Sequence, residues 1–140
     1  MHELFEKLLA IISNPRFLSG ESAGAETPFY ICPYSVADAE PMKEMVAQLA
    51  KKLAERNVKV IPVDAFKLMV EILKANDDYD WTLEHEGEQS FAELRDDLHG
   101  VLDEANVIAP AIGRMLADAD DSSSKVVFVT NIGACYPVLR

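Results

Sequence analysis

The chain has 140 residues, a net charge of -11 and 49% apolar residues, which match the size and core content of one folded domain. That apolar content excludes a fully disordered chain. The 24 acidic against 13 basic residues argue against direct nucleic-acid binding, since phosphates attract a basic surface. No apolar run approaches the roughly 20 residues that span a bilayer, and the first residues lack the basic start of a signal peptide.

Two cysteines, Cys32 and Cys135, lie far apart in the sequence and in apolar surroundings. Neither belongs to a C-x-x-C pair, so we expect two free thiols packed as small apolar side chains instead of a disulfide. Unpaired thiols are typical of reducing compartments, and the cytoplasm is therefore the expected location.

Hydrophobic spacing in the first part of the chain predicts two helices and a strand. Leu8 and Ile12 belong to a helical stripe that ends at Pro15, because the residue before proline disfavours helix. A second stripe follows Pro41, which suits a first helical turn. In order, the predicted elements are a helix over 3–12, a polar loop over 19–27, a buried strand over Phe29–Cys32 and a helix over 38–56.

The remainder of the chain predicts two more strands and three helices. The strand Val58–Val63 contains Pro62, as expected at a sheet edge or a strand end. The strand Lys125–Thr130 is apolar without interruption at its centre, which is typical of a buried parallel strand. The other predicted elements are a helix through Lys74, an acidic linker, a helix from Phe91 to Leu102, a helix from Ile108 to Met115 and a polar turn over 118–124.

The alternation of strands and helices, α-β-α-β-α-α-α-β, predicts crossover connections and a parallel sheet. We expect a single three-layer α/β domain over residues 1–140, with a small, mainly parallel sheet of at least three strands flanked by helices. No predicted helix follows the last strand to cover it. Either a partner or a further segment completes this sheet, or the chain is shortened at Arg140.

Nearly all of the net charge lies in one segment, residues 76–104. It holds eleven acidic residues and one basic residue, so its own charge is -10. Two interpretations are open: a solvated helical face with a loop, or a docking surface that attracts a basic partner. The acids assigned to that surface are Glu93, Asp96, Asp97, Asp103 and Glu104. A calcium loop at 77–80 is disfavoured, since the central glycine of an EF-hand is missing.

Open α/β sheets bind ligands at the carboxyl ends of their strands, where this chain has Tyr34, Asp64, Thr130 and Asn131. Asp64 is either a magnesium ligand or, as is more common, the cap of the following helix. The phosphate-binding patterns G-x-x-x-x-G-K-[ST] and G-x-G-x-x-G are absent, which argues against nucleotide hydrolysis. The nucleophile pattern G-x-S-x-G is absent too, so we predict no catalytic residues and no cofactor.

A further cluster on the predicted helix of Phe91 to Leu102 combines His99 with Asp96 and Asp103 on one face. Such a face is a conceivable metal patch, but it holds a single imidazole, and carboxylates beside an exposed histidine are common. We therefore expect solvated side chains there and no metal site. A metal-dependent hydrolase built on Asp64 and His99 is disfavoured for the same reason.

Several segments of the chain together resemble one protein family. They are Pro15–Gly20, Pro28–Tyr34, Asp64–Leu73 and Val126–Arg140, the last with Thr130-Asn131-Ile132-Gly133 and Tyr136-Pro137-Val138-Leu139-Arg140. Taken together they are similar to BrxB, a small protein of the BREX bacteriophage-exclusion systems, although no single motif is diagnostic. Asn131 departs from the pattern, in which we expect glycine. The resemblance also implies that members continue past this last segment with a Ser-His-Asn stretch and a further helix.

The resemblance implies a defence locus that also encodes an alkaline-phosphatase-like protein (PglZ), a large ATPase (BrxC) and a DNA methyltransferase (PglX). It supplies no catalytic residue. It implies a non-enzymatic adaptor that binds PglZ-like and BrxC-like proteins. The alternative, based on the strand-end residues, is a degenerate nucleotide-binding domain without hydrolysis. The helix over 2–12 is expected to pack on its own domain, while the uncovered last strand adds a homo-oligomer to the expectations.

Overall fold

The computed structural model describes residues 1–20, 29–119 and 123–139, of which 66% are helical. Two strands, Val58–Asp64 (β1) and Ser124–Thr130 (β2), pair in a small parallel sheet. The mixed class of helices and parallel sheet is therefore confirmed. The described residues form two compact units: unit 1 holds residues 1–20, 29–60 and 123–126, and unit 2 holds 61–119 and 127–139. The single domain over 1–140 stays a prediction.

Unit 1 is built on two contacting helices with apolar stripes. Its elements are α1 (His2–Ile12), α2 (Pro15–Leu18), a 3-10 turn (Val36–Asp38) and α3 (Ala39–Glu55). Buried side chains recur at helical spacing on the two long helices: Leu8, Leu9 and Ile12 on α1, and Met42, Met45, Leu49 and Leu53 on α3. The ends of these helices are joined, since Nη1 of Arg56 donates a hydrogen bond of 2.8 Å to Oγ of Ser13.

The end of α1 agrees with the sequence prediction, but the proline there has a second role. Oδ1 of Asn14 accepts a hydrogen bond of 2.9 Å from the backbone N–H of Arg16 and so caps α2. Pro15 occupies the first position of α2, where its missing N–H costs nothing. The same dipeptide therefore ends one helix and begins the next.

Unit 2 packs its helices around two apolar clusters. Its helical elements are α4 (Ala65–Ala75), α5 (Asp78–His85), α6 (Phe91–Val101), a π-helical turn (Glu104–Ile108), α7 (Ala109–Asp118) and α8 (Ile132–Cys135). The first cluster has the buried residues Ala65, Leu73, Leu102, Cys135 and Leu139. The second has Ile61, Val63, Leu68 and Ala111. Because α4 contributes to both clusters, it is the central helix of this unit.

The acidic linker predicted between α4 and α6 is wrong, because most of it is helix α5. Tyr79 packs against the first apolar cluster and its ring lies 5.0 Å from the amine of Lys74 on α4. Asp78 and Asp80 lie in the first turn of α5, where negative charge favours the helix dipole. Tertiary packing and first-turn charge thus make a helix from a segment with little hydrophobic periodicity.

The buried strand predicted over Phe29–Cys32 is also wrong. Residues 29–35 have no regular secondary structure, and Phe29 and Ile31 are 72% and 75% exposed. A strand needs a hydrogen-bonded neighbour, which β-forming side chains alone do not supply. The described sheet consequently has two strands, and the third strand and the three layers are not confirmed.

Two predicted connections fall partly outside the described residues, namely the loop over 19–27 and the turn over 118–124. Among the described helices, none is long and apolar enough to span a bilayer.

Candidate functional site

The carboxyl ends of β1 and β2 are joined through their side chains. Oδ2 of Asp64 accepts a hydrogen bond of 2.7 Å from Nδ2 of Asn131, and Oγ1 of Thr130 donates one of 3.5 Å to the carbonyl of Val63. We call Asp64, Thr130 and Asn131 the strand-end cluster. Tyr34, which was predicted to share this site, belongs to unit 1, whereas the other three residues belong to unit 2.

Asn131 adopts the left-handed conformation, with φ 59° and ψ 23°. Glycine enters this region most easily, and asparagine is among the few other residues that tolerate it. This explains both why glycine was expected at this position and why asparagine is accepted. Unlike glycine, however, Asn131 has an amide that reaches Asp64, so the departure from the family pattern adds a hydrogen bond.

Asp64 caps α4, which is the more common of the two roles predicted for it. Its Oδ1 accepts a hydrogen bond of 3.0 Å from the backbone N–H of Lys67. This bond is the main reason that the pKa of Asp64 lies below its ordinary value, and the amide of Asn131 lowers it further. Each carboxylate oxygen therefore already accepts a hydrogen bond, and the ionised group is a poor candidate for proton transfer at neutral pH.

Cys135 lies directly beneath this cluster and was not connected with it by sequence reasoning. Its side chain is buried, and Sγ lies 3.6 Å from the carbonyl oxygen of Asn131. Burial raises the pKa of the Cys135 thiol, and the charge of Asp64 raises it further. The group is consequently a protonated packing residue, because thiolate is the reactive form of cysteine. Cys32 is half-buried, and both cysteines are free.

The acids predicted to form a docking surface are held by short-range hydrogen bonds on α6 and its flanks. Glu93 and Ser90 form a reciprocal capping box, in which Oε2 of Glu93 accepts a 2.9 Å bond from the Ser90 N–H. This backbone bond and the Ser90 hydroxyl lower the pKa of Glu93. Oδ2 of Asp97 accepts from Nε2 of Gln89 at 2.8 Å, while Asp96 pairs with Arg95 at 2.8 Å.

The last two of these acids lie at the π-helical turn. Oδ1 of Asp103 accepts a 2.8 Å bond from the N–H of Asn106 and caps that turn. His99 has its Nε2 3.5 Å from Oε2 of Glu104, an acid that was not part of the His99, Asp96 and Asp103 face disfavoured above as a metal patch. Within residues 1–20, 29–119 and 123–139, no group of three or more histidine, cysteine or acidic side chains is placed to hold a metal ion.

Exposed aromatic side chains lie on the same segment as the acids, and sequence reasoning did not single them out. Trp81 on α5 is 45% exposed and stacks on His85, with ring centroids 4.6 Å apart. Phe91 at the start of α6 is 72% exposed. Large exposed apolar side chains in a charged setting are typical of protein-binding surfaces. The sequence signal was the run of acids itself, which gave no indication of which apolar residues point outward.

Comparison with protein-family models matches residues 61–140 to the family described as BREX protein BrxB. The match spans 80 of the 140 residues and includes all of the described residues of unit 2. The chain belongs to the BrxB family. Membership identifies this BrxB chain as a component of a BREX system, and so of antiviral defence.

The strand-end cluster and the acidic segment, residues 76–104, both lie within the matched part of this BrxB chain. The resembling segments Pro15–Gly20 and Pro28–Tyr34 precede it. BrxB is not a known enzyme family. No curated protein and no solved structure matches the chain.

Proposed function

We propose that this BrxB chain is a non-enzymatic adaptor of a BREX complex, and that its acidic segment docks on a basic surface of a PglZ-like or BrxC-like protein. The observation that carries the proposal is that the acidic segment, of charge -10, exposes carboxylates and also two aromatic side chains, Trp81 on α5 and Phe91 on α6. Family membership supplies the context, since other BREX proteins are the natural partners.

The local hydrogen bonds of these acids support docking in one specific way. A carboxylate that is already fixed by a cap or an amide has little side-chain entropy to lose when a partner binds. Glu93 and Asp97 are both exposed and both fixed in this manner. Their charge can therefore face a cationic partner without reorganisation, and like other complementary surfaces it would also accelerate encounter.

The exposed aromatics supply the second ingredient of a docking surface. Buried aromatic anchors contribute most of the affinity in many interfaces, while rim charges tune the rate and the salt dependence. Trp81 and Phe91 are the candidates for anchors. A partner with an apolar pocket surrounded by lysine or arginine would fit this surface.

The test is co-purification of the full chain with PglZ-like and BrxC-like proteins of the same locus. Reversing the charge of Asp96 and Asp97 to lysine should weaken capture by about tenfold, because two contacts become repulsive. Phe91→Ala should weaken it by a similar factor without changing the salt dependence. Raising ionic strength from about 0.15 to 1 M shortens the screening length from about 8 to 3 Å and should release the partner.

The matched control reverses Glu3 and Glu6 on α1, which are exposed and change the net charge by the same amount. Capture should be unaffected by this control. Equal weakening by the control and by the α6 variant would show a net-charge effect and refute a specific surface. Capture of both partners unchanged by the α6 variant would also contradict the proposal. Circular dichroism spectra check that all variants remain folded.

The alternative, a nucleotide-binding domain without hydrolysis, gains no support at the strand ends. Both oxygens of Asp64 accept hydrogen bonds from the protein itself, and the thiol of Cys135 is buried beneath them. We expect no rise in melting temperature with millimolar ATP and magnesium. A ligand at one hundred times its Kd would stabilise the folded state by about 2.7 kcal/mol, so a rise of several degrees would reinstate this alternative.

A further inference from the structure

Helix α4 presents a second exposed face, separate from the acidic segment. Its inner side is buried through Ala65, Leu68 and Leu73. Its outer side forms a shallow depression of about 240 Å³, lined by Phe66, Lys67, Val70, Glu71 and Lys74. We call these five residues the α4 face. Phe66, which belongs to it, is 42% exposed, although the helix that carries it is the centre of unit 2.

The charge of the α4 face is opposite to that of its surroundings. Residues 61–120 contain fifteen acidic and four basic side chains, and two of those four basic residues, Lys67 and Lys74, belong to this face. They lie seven residues apart, about two helical turns, so they share one side of the helix and line the depression together with Phe66 and Val70. With Glu71 included, the face has a net charge of +1 within a strongly negative segment.

Neither lysine is neutralised by an ion pair within the part of the chain that the structure describes. The amine of Lys74 lies 5.0 Å from the ring centroid of Tyr79, which fixes its position and leaves its charge in place. Lys67 interacts with Asp64 mainly through its backbone N–H. Both ammonium groups are therefore available to a carboxylate from outside.

We propose that the α4 face binds an acidic amphipathic helix of another protein. An apolar residue of that helix would seat on Phe66 and Val70, which are one turn apart, and its carboxylates would lie beside Lys67 and Lys74. A helix fits because the depression follows a single helix, and the side chains of one helix pack into the groove between the rows of another. Charge complementarity selects an acidic partner over a neutral or basic one.

Glu71 adds a further element of specificity. It lies between the two lysines in sequence and faces the same depression. A partner carboxylate opposite Glu71 would be repelled, so the favoured helix has two acids about two turns apart and a neutral or basic residue between them. This pattern separates the α4 face from a surface that merely attracts negative charge.

This surface is independent of the proposed docking role of the acidic segment, since the two use different residues and opposite charges. An adaptor that carries both would bind a basic partner through α5 and α6 and an acidic helix through α4. The two proposals can therefore fail separately, because the variants that test one surface substitute no residue of the other, although Lys74 of the α4 face contacts Tyr79 of α5.

The test uses the full chain and fluorescein-labelled synthetic helical peptides of about 18 residues, which span about 27 Å. One peptide has a leucine stripe with two glutamates seven residues apart near its centre and glutamine between them, and its matched control has glutamine in place of both glutamates. In fluorescence anisotropy we expect the glutamate peptide to bind at least about tenfold more tightly. This preference would run against the overall charge of -11.

Variants of the chain then locate the binding site. Lys67→Glu with Lys74→Glu should weaken binding of the glutamate peptide by about tenfold or more, and Phe66→Ser should weaken both peptides. The matched control reverses Lys43 and Lys51, two exposed lysines on α3, and should leave binding within about twofold of the unchanged chain. Each substituted side chain is exposed, so the variants should fold, as checked by circular dichroism.

Three results would overturn the proposal. The first is equal binding of the two peptides, or none at about 0.1 mM, a concentration at which even a weak specific site binds. The second is equal weakening by the α3 control, which would show an effect of net charge alone. The third is self-association in sedimentation velocity that Phe66→Ser abolishes, because it would assign the α4 face to a second copy of the chain.

Discussion

The strand-end cluster and the acidic segment both use carboxylates as helix caps, but they differ in how far apart the bonded residues lie in the sequence. Asp64 bonds to Asn131, 67 residues later, and so joins two strands and two helices. The hydrogen bonds described above for Glu93, Asp97 and Asp103 join residues no more than eight positions apart in the sequence. The first arrangement stabilises the tertiary fold, whereas the second stabilises single turns and leaves the surface exposed.

The difference follows from what lies beneath each group. Cys135, beneath the strand-end cluster, is 1% exposed and belongs to the first apolar cluster of unit 2. Trp81 and Phe91, on the same segment as the acids, are 45% and 72% exposed. Removing a buried side chain should therefore lower the free energy of unfolding much more than removing an exposed one. A region that can change at low cost to folding is the better place for a docking surface.

The largest effect is expected from Leu102→Ala, which empties a fully buried site in the first apolar cluster of unit 2. The free energy of unfolding should fall by about 2–5 kcal/mol, as measured by urea denaturation. Leu102 itself lies in the acidic segment, so the matched change is at an exposed position of the same segment, Leu83→Ala, where the side chain is 52% exposed. It should cost less than about 1 kcal/mol, and equal losses at the two sites would contradict the comparison.

Next in size is Asp64→Ala, which removes both the cap of α4 and the bond to Asn131. Unfolding free energy should fall by about 1–3 kcal/mol. A double-mutant cycle with Asn131→Gly, which keeps the left-handed backbone, should give a coupling of about 1 kcal/mol. Additive effects would show that the 2.7 Å bond does not link the two strands in solution.

The same residue should also affect the pH dependence. The folded-state pKa of Asp64 lies below its ordinary value of 3.8, so its stabilisation is present above pH 3.8 and is lost as pH falls through the folded-state value. Asp64→Asn should make the melting temperature less sensitive to pH below about 4. Identical acid profiles for the variant and the unchanged chain would contradict this assignment. The pKa of Glu93 is also lowered, from an ordinary value of 4.5, so its contribution to stability is likewise lost as the pH falls.

A smaller effect is expected from Ser90→Ala, which removes half of the capping box of α6. The cost should be about 1 kcal/mol by thermal or urea unfolding. Ser90→Thr preserves the hydroxyl and serves as the control. A loss as large as that of Asp64→Ala would mean that α6 is as tightly coupled to the fold as the strand ends are.

The smallest effect should come from Asp96→Ala. Its ion pair with Arg95 is exposed and joins neighbouring residues, so the expected change in unfolding free energy is below about 0.5 kcal/mol. Binding of a basic partner should nevertheless weaken, because the charge itself is lost. Separation of the two readouts, stable folding with weaker capture, is the clearest sign that this surface serves recognition.

Much of the fold could be predicted from the sequence. The helices α1 and α3, the strands β1 and β2 and the cap of Asp64 agree with their predictions, because periodicity and capping act within a few residues. The predicted strand over Phe29–Cys32 fails because pairing depends on a distant neighbour. Helix α5 was missed because it depends on the packing of Tyr79 against the first apolar cluster of unit 2, and its own sequence has little helical periodicity.

The candidate sites divide in the same way. The acidic segment and the strand-end carboxylate were visible in the sequence, since charge and position after a strand are local properties. Neither the position of Cys135 beneath Asp64 nor the α4 face could be predicted, because both depend on which side of a helix is buried. The match of residues 61–140 to BrxB agrees with a resemblance that the sequence already carried.

By itself, then, the sequence determined the family, the local helices and strands, and the place of the negative charge. The tertiary structure decided which acids lock the strands together and which remain on an open surface. It also decided that Phe66 faces outward in a depression that two lysines also line. The physical reason is that capping and charge act over a few residues, whereas burial depends on contacts between segments far apart in the chain.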